Sequence, residues 1–426
     1  MKLIENITKS EFNKNVLKIF SGTLVAQVLA MTIMPVLTRI YTPEDFSSLA
    51  LYTSIVSILG MFVTLKYDKA IMLPKEDREA FALIVLSVFL TLFFGLIFYL
   101  LYFFFFDSIV LLFKVKGIEK WLVFVPMSII VVGLYTILNT WFNRKKEYSK
   151  LSYNRIFTSF NSGFSKIIFQ ILFKLGAFGL VLGGFFAQVF SLFYFGKNFF
   201  KKNFSEVKTI SKKELREVAI KYKSFPKYSL PADFLGVFSR ELPILLLSGY
   251  FGSGIVGLYM LTKSTLNIPF TLLSTSILEV FKQKAIQDYN DTGNCSEIFI
   301  STFKKLITLS VIPFILLYFS APFLFSFAFG DEWRMSGKFA QILTIMYFFK
   351  FISSPLTYVF YIVDKLKVDL ILKIFMFGLS WLSIYLGYQY YNNPNISIFI
   401  YAIFNSLMYL IYLLIAFNYS KGTLKL

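Results

Sequence analysis

Residues 228–250 read YSLPADFLGVFSRELPILLLSGY, an apolar stretch with Arg240 near its middle. About 20 residues of this character are enough for one helical crossing of a hydrocarbon core. An arginine at that depth costs about 3 kcal/mol on insertion scales, and such charges usually face a wet cavity or a partner instead of lipid. The stretch therefore predicts a membrane helix whose charged side faces the interior of the protein.

Three more cations lie near the middle of other apolar stretches: Lys166, Lys263 and Lys350. Acidic residues at comparable depth are fewer, and Glu241 is the clearest of them. The simplest interpretation is an internal, positively charged chamber that receives an anionic cargo. The alternative is internal ion pairing, for which Arg240 with Glu241 or with Asp233 is the obvious pair.

The composition places the chain among polytopic membrane proteins. Of its 426 residues, 57% are hydrophobic and 20% are aromatic, far from the average of soluble domains. A net charge of +19 would indicate nucleic-acid binding in a soluble protein, but here most basic residues fall in short loops between apolar stretches. Transmembrane β-barrels are excluded, because their strands are shorter and alternate strictly.

Twelve stretches of membrane-spanning character recur along the chain. They lie near 17–40, 46–66, 80–104, 121–142, 154–175, 178–199, 228–250, 253–276, 303–326, 337–359, 369–390 and 396–418. A polar, lysine-rich linker, 197–227, separates the first six from the second six. We therefore expect an all-α polytopic membrane protein with twelve transmembrane helices in two six-helix lobes, 1-205 and 206-426, around a central cavity.

The distribution of basic residues among the loops predicts the orientation. Lys66, Lys69, Lys75 and Arg78 share one loop, and the central linker is the richest in lysine. Because basic loops stay in the cytoplasm, we expect both termini there and the protein in the cell inner (cytoplasmic) membrane. The apolar run after the polar amino terminus is too long for a signal-peptide core, so we expect the first span to remain as an anchor.

Polar residues recur at helical spacing beside the buried cations. The stripes contain Arg155, Ser159, Ser162, Lys166 and Gln170 in the fifth span, Lys263, Asn267, Thr271 and Ser274 in the eighth, and Lys350, Ser354 and Thr357 in the tenth. Spacings of three and four put each set on one helix face, which predicts a side suited to water. Such side chains also mediate ordinary helix contacts, and the Gly179–Gly183 spacing predicts close packing within the protein.

The sequence excludes several kinds of chemistry. It contains no histidine, and Cys295 is its only cysteine, so disulfides, thiolate metal clusters and imidazole catalysis are excluded. It has no glycine-rich nucleotide-binding loop, which argues against direct use of ATP. We therefore expect no metal and no cofactor. If an ion gradient drives the protein, Asp233 or Glu241 is the plausible coupling carboxylate.

Several connections resemble those of the Wzx-type polysaccharide flippases, in the multidrug/oligosaccharidyl-lipid/polysaccharide exporter superfamily. Residues 35–46, PVLTRIYTPEDF, are similar to the family's P-x-x-T-R-x-Y-x-P-E-x-F, and residues 66–75, KYDKAIMLPK, to its R-Y-D-x-A-I-x-L-P. The block from Phe225-Pro226 through SRELP at 239–243 to Pro269 resembles the start of the second lobe, and FGDEW at 329–333 resembles F-G-x-x-W. The resemblance extends over nearly the whole chain, with Lys66 where many relatives carry arginine.

The resemblance implies a transporter, not an enzyme. Its cargo would be an oligosaccharide linked through pyrophosphate to a polyprenyl lipid, moved from the inner to the outer leaflet by alternating access, as in the synthesis of O-antigen for lipopolysaccharide. Membrane lipids and the polysaccharide polymerase machinery are the implied partners, and nucleic acid is not one.

Roles for the basic residues follow from this cargo. Arg240 and Lys263 would bind the diphosphate, while Lys166 and Lys350 would extend the positive field. Arg39 would act at the outer mouth and Lys66 at the inner one, unless both only snorkel to lipid headgroups. Asp68, which lies between Lys66 and Lys69 in an inner loop, is expected to be a solvated loop charge, with a role as a gate as the alternative.

Three other functions are compatible with part of the pattern. A membrane-embedded polysaccharide polymerase or ligase would need a sizeable external loop with catalytic side chains, and the longest outer connection, 105–120, is short. An exporter of small organic cations would want acids in its chamber. An uncoupled channel or scaffold is the third alternative.

Overall fold

The computed structural model describes residues 11–113 and 117–422, which are mostly helical and contain no β-strand. Twelve helices in these residues are long. They are α1 Glu11–Ile40, α2 Pro43–Gly60, α3 Asp77–Phe104, α4 Phe124–Arg144, α5 Tyr148–Ile171, α6 Ala177–Lys208, α7 Leu230–Phe251, α8 Ser253–Thr292, α9 Ser296–Phe329, α10 Arg334–Leu356, α11 Leu366–Tyr391 and α12 Pro394–Ser420. Each overlaps one predicted span, so the all-α class and the order of the spans are confirmed.

Eight stretches of the described residues satisfy a test of length and composition for crossing a membrane. They correspond to α1, α3, α4, α6, α9, α10, α11 and α12. The other four long helices are α2, α5, α7 and α8. Three of these four contain predicted site residues. Lys166 is in α5, Arg240 and Glu241 are in α7, and Lys263 is in α8.

Two predicted spans end elsewhere in the structure, for local reasons. Helix α2 ends at Gly60 instead of continuing to residue 66, and Leu65 and Lys66 both have left-handed backbones, with φ of 46° and 64°. Helix α8 has 40 residues and continues to Thr292. Its polar extension lowers hydropathy without breaking the helix, which ends at Gly293 with φ +70° because only glycine adopts that conformation freely.

The chain forms two compact units, Met1–Glu241 and Leu242–Leu426. The first contains α1 to α6, the linker and the first half of α7. One of its cores is aromatic: Phe81 lies 4.7 Å from Trp141 between ring centroids, and Phe142 lies 4.8 Å from Phe195. The predicted lobes, 1-205 and 206-426, stay a prediction about how the twelve helices divide.

Helix α5 is joined to α1 by the polar stripe that the sequence predicts to face water. Arg155 donates to the hydroxyl of Thr23 at 2.5 Å, and Gln170 donates to the carbonyl of Ile40 at 3.0 Å. Ser159 donates to another α1 carbonyl at 2.7 Å. These three residues therefore make the helix contacts that the sequence also allows, and a water-facing side of α5 stays a prediction. Polar side chains within membrane helices gain more from a neighbouring helix than from lipid, which offers no partner.

The close packing predicted for Gly179 and Gly183 is confirmed. A Cβ placed on Gly179 would lie 2.9 Å from the hydroxyl oxygen of Tyr41. A Cβ on Gly183 would lie 2.5 Å from Cγ of Lys166 and 2.8 Å from its backbone nitrogen. The glycines thus allow α6 to approach Lys166 of α5 at van der Waals distance.

The linker is helical and is packed against the first unit. Its short helix, Lys212–Lys221, begins with a capping box in which Ser211 and Glu214 bond each other's backbone nitrogens. Arg78 donates to Glu214 at 2.6 Å. The Arg78 guanidinium, and then the backbone and hydroxyl of Ser211, lower the pKa of Glu214 to about 2. The hydroxyl of Tyr67 donates to the carbonyl of Ala219 at 2.9 Å.

The second unit has its own core and its own polar contacts between helices. Phe360 packs on Tyr412 and on Tyr419, with ring centroids 6.0 and 5.9 Å apart. Ser380 of α11 donates to Asn405 of α12 at 3.2 Å, and Thr262 of α8 donates to a carbonyl of α10 at 2.8 Å. These bonds satisfy polar groups that lipid would leave unsatisfied.

The contrast between Gly183 and Gly184 gives a test of the α5–α6 packing. We expect Gly183→Ala to lower the free energy of unfolding by about 1–3 kcal/mol, because the new methyl meets the backbone of Lys166. A Cβ on the neighbouring Gly184 meets only Cε of Lys166, at 4.0 Å. Gly184→Ala should therefore stay within about 0.5 kcal/mol of wild type. The measurement is thermal unfolding of the purified protein in detergent, and equal stability of the two variants would contradict the packing.

Candidate functional site

Helix α7 carries three of the predicted site residues, and its first half is fixed to the first unit. Asp233 binds lysines from the loop after α2, and the ring of Phe234 lies 5.6 Å from that of Phe62. Glu241 accepts a hydrogen bond from Ser54 of α2 at 3.0 Å. These contacts explain why the chain up to Glu241 belongs to the first unit.

Arg240 and Glu241 form the ion pair that the sequence allows. Nε of Arg240 lies 3.2 Å from Oε1 of Glu241, and Oε2 accepts from the hydroxyl of Ser54. Glu241 is buried, at 8% exposed, whereas the side chain of Arg240 is 60% exposed. The carboxylate thus has donors on both oxygens, while much of the arginine side chain stays accessible.

Asp233 is bound by two lysines. Its Oδ2 lies 3.2 Å from the ammonium of Lys66 and 2.6 Å from that of Lys69. The loop is shaped by the left-handed backbone of Lys66. The hydroxyl of Thr64 donates to the carboxylate of Asp68 and accepts from the backbone N–H of Lys66 at 3.3 Å. Asp68 is 5% exposed, so the expectation that it is a solvated loop charge is wrong.

Lys166 lies in the groove that Gly183 and Gly184 leave on α6. Its backbone carbonyl accepts from the hydroxyl of Tyr41 at 2.6 Å, which fixes the position of the residue on α5. Within residues 11–113 and 117–422, its ammonium makes no hydrogen bond and no salt bridge. The charge of Lys166 is therefore not cancelled by a described carboxylate.

In the second unit, Lys350 of α10 meets the predicted polar stripe of α8. Its ammonium lies 3.5 Å from Oδ1 of Asn267, and 4.6 and 4.9 Å from the ring centroids of Phe270 and Tyr347. Asn267 is one helical turn after Lys263, so the two cations belong to one region of the second unit. These three groups are neutral, and they position the ammonium without contributing charge of their own.

The predicted residues therefore form three groups and one outlier. Arg240, Glu241, Asp233 and Lys66 surround the first half of α7, Lys263 and Lys350 share a region of the second unit, and Lys166 has its own groove. Arg39 is exposed in the last turn of α1.

Sequence reasoning missed several contributors to these groups, among them Ser54, Phe270 and Tyr347. One serine among many and one aromatic among many carry no signal of their own. Only the helical spacing of Phe270 from Lys263, seven residues or two turns, could have indicated a shared face.

Comparisons with known proteins agree with this architecture. The family described as "Polysaccharide biosynthesis protein" matches residues 36–338. Among solved structures, the lipid II flippase MurJ in an inward closed conformation has a TM-score of 0.74 at 15% identity, with 93% of this chain and 86% of that chain covered. No curated protein sequence matches this chain.

Two transporters of the MOP superfamily are also similar in structure. An inward-facing multidrug resistance MATE family transporter has a TM-score of 0.69 at 13% identity, with 93% of each chain covered. A transporter from Pyrococcus furiosus, described by the reverse polarity of its binding pocket, has a TM-score of 0.59 at 12% identity, covering 95% of this chain and 94% of that chain. At these identities the likeness shows the fold.

Double-mutant cycles can rank the two lysines that bind Asp233. We expect the coupling of Lys66 with Asp233 to reach about 1 kcal/mol, and that of Lys69 to stay at a few tenths, because exposed pairs are screened by solvent. Lys66 is 15% exposed and Lys69 is 49% exposed, although the Lys69 contact is the shorter one. The variants are Lys66→Gln, Lys69→Gln and Asp233→Asn, and the measurement is thermal stability in detergent. A larger coupling for Lys69 would show that distance outweighs burial here.

Proposed function

This chain belongs to the polysaccharide biosynthesis protein family, and we propose that it is a flippase for lipid-linked oligosaccharide. The cargo is an oligosaccharide unit joined through pyrophosphate to a polyprenyl lipid, and it moves from the inner to the outer leaflet by alternating access. The protein works in the cell inner membrane with both termini in the cytoplasm, because its basic loops then lie on the cytoplasmic side. The two lobes, 1-205 and 206-426, move relative to each other, and the cargo passes on to the polymerase machinery.

The observation that carries this proposal is the state of the cations in apolar helices. Lys166 has no acidic partner among the described residues, Lys350 is held by an amide and two rings, and Arg240 keeps 60% of its side chain exposed. Positive charge retained in an apolar helix, as at Lys166, needs an anionic ligand or water to stabilise it. A pyrophosphate supplies that charge, and charge-assisted hydrogen bonds replace its hydration.

Arg240 and Lys263 are the residues to which we assign the diphosphate. Arginine presents a planar fork of donors that matches phosphate oxygens, and the side chain of Arg240 stays 60% exposed while its Nε pairs with Glu241. Lys263 lies one turn from Asn267, the residue that orients Lys350. Lys166 and Lys350 add positive field, Arg39 guides the cargo at the outer mouth, and Lys66 does so at the inner one.

Glu241 is the better of the two coupling carboxylates. It is buried, it accepts from the hydroxyl of Ser54, and it pairs with a guanidinium that also serves the cargo. Binding of the diphosphate to Arg240 would weaken the pair with Glu241 and leave that carboxylate available to a coupling cation. Asp233 is held by two lysines outside that network, which favours a structural role at the base of α7.

An exporter of organic cations is disfavoured by the same residues. Such a cargo needs an accessible carboxylate, whereas Glu241 is buried and already accepts two donors. The charge of the site therefore favours an anion.

Charge-neutral variants test the assigned roles in cells that depend on this protein for surface polysaccharide. We expect Arg240→Gln and Lys263→Gln each to reduce export at least about tenfold, because each removes a charged hydrogen bond to the diphosphate. Arg240→Lys should retain part of the activity. Surface polysaccharide is measured on gels, the lipid-linked precursor by its accumulation, and the protein level by immunoblot.

Two controls separate cargo binding from structural damage. Lys284→Gln lies on the same helix as Lys263, but its ammonium is 2.8 Å from Asp288, so export should be normal. The double variant Arg240→Gln with Glu241→Gln removes both members of the buried pair. If it restores export, the defect of Arg240→Gln comes from an orphaned carboxylate and the diphosphate role is rejected. Normal export after neutralising both Arg240 and Lys263 would reject the roles as well.

A further inference from the structure

Four aromatic side chains of the second unit form a regular array at one end of α7 and α11. On α11, the rings of Trp381 and Tyr385 are parallel within 4°, with centroids 5.3 Å apart. Tyr250 of α7 stacks on Tyr388 of α11 at 4.5 Å and within 7°. Tyr250 also contacts Tyr385 at 6.4 Å. We call these four residues the aromatic ladder.

The ladder is open on one side. Trp381 is 43% exposed, and the three tyrosines are partly exposed. Gly378, one turn before Trp381 on the same helix, is exposed, and a Cβ placed there would meet no atom within 4 Å. The face of α11 beside the ladder therefore has room for another molecule.

Polar groups converge at the ladder without a bonding partner. The hydroxyls of Tyr250, Tyr385 and Tyr388 make no hydrogen bond within residues 11–113 and 117–422, and Tyr250 lies near enough to the other two to interact electrostatically. An unpaired hydroxyl in hydrocarbon costs free energy. Three such groups together indicate surroundings that supply polar partners.

The depth of Trp381 distinguishes the ladder from a purely interfacial aromatic belt. Belts of tryptophan and tyrosine lie at the level of the lipid headgroups. Helix α11 has 26 residues and ends at Tyr391, so Trp381 lies about 15 Å along the helix from that end. The ladder thus begins near the end of the helix, at Tyr388, and reaches about its middle at Trp381, which lies below headgroup level.

We infer that the aromatic ladder is a saccharide-binding platform, on which Trp381 and Tyr385 stack against sugar rings and the tyrosine hydroxyls bond to sugar hydroxyls. This inference rests on the proposed function, since it names the part of the protein that reads the glycan of the cargo. Aromatic faces are electron-rich and attract the weakly positive C–H groups of a pyranose face. The ladder supplies flat rings, hydroxyls and open space, and its ring contacts include no charged residue.

Trp381 provides its own reporter. Of the four tryptophans, Trp121 and Trp333 are 0% exposed and Trp141 is 2% exposed, against 43% for Trp381. Acrylamide quenching of the intact protein in lipid nanodiscs therefore reports mainly on Trp381. The probes are the pyrophosphate-linked oligosaccharide pool extracted from cells in which the protein supports export, and undecaprenyl pyrophosphate without sugar.

We expect both probes to bind, but only the glycan-bearing pool to protect Trp381 from acrylamide. Tyr385→Leu should lower the affinity for the glycan-bearing pool by about fivefold and leave the affinity for undecaprenyl pyrophosphate unchanged. Phe375→Leu is the matched control, because Phe375 is 61% exposed on the same helix and lies outside the ladder. It should change neither affinity. Binding is measured by retention of phosphorus-labelled probe, independently of fluorescence.

The remaining outcomes decide between the inference and the function on which it rests. If neither probe binds, the proposed function fails and the inference fails with it. If both bind and Trp381 responds equally to both, or Tyr385→Leu lowers neither affinity, the platform is rejected while the flippase proposal stands. An equal loss for both probes in Tyr385→Leu also rejects it, since that result reports a structural role.

Discussion

A polar group on a helix within hydrocarbon has no water to bond, so the protein must supply its partner. This constraint organises the structure more than any single core contact. It explains why Ser54 of α2 donates to Glu241 of α7, and why Gln170 of α5 donates to a carbonyl of α1. Helices that look poorly suited to a membrane are stable there because their polar faces are occupied by neighbouring helices.

The partners differ in whether they cancel charge. Lys66 and Lys69 share one carboxylate, which offsets one of their two charges and fixes the start of α7. Lys350 instead donates to an amide oxygen and lies over two rings, neutral groups that position the ammonium without contributing charge. Lys166 is positioned through its backbone and a glycine groove. Cations that are positioned by neutral groups or by their own backbone are the ones suited to an anionic cargo.

Hydropathy and spacing predict the twelve helices and the close approach at Gly183, because both depend on the local sequence alone. They also allow the Arg240–Glu241 pair, since adjacent residues are close in any fold. The stripe of α5 shows where such reasoning ends. Periodicity places Arg155, Ser159 and Gln170 on one face, but it does not say that α1 covers that face. Likewise, the burial of Asp68 follows from the left-handed turn at Leu65 and Lys66, which no local preference indicates.

The cations and the aromatic ladder would recognise different parts of one cargo. A diphosphate is common to every lipid-linked oligosaccharide, so contacts to it raise affinity for all of them equally and cannot discriminate. Selectivity is a difference between affinities, and it requires contacts to the sugars, whose rings and hydroxyls vary. Among 26 tyrosines no single one can be chosen from the sequence. The structure singles out Tyr250, Tyr385 and Tyr388 by their parallel or adjoining rings and unbonded hydroxyls. The cations would therefore supply affinity for the diphosphate, and the stacked rings would supply selectivity among the sugars.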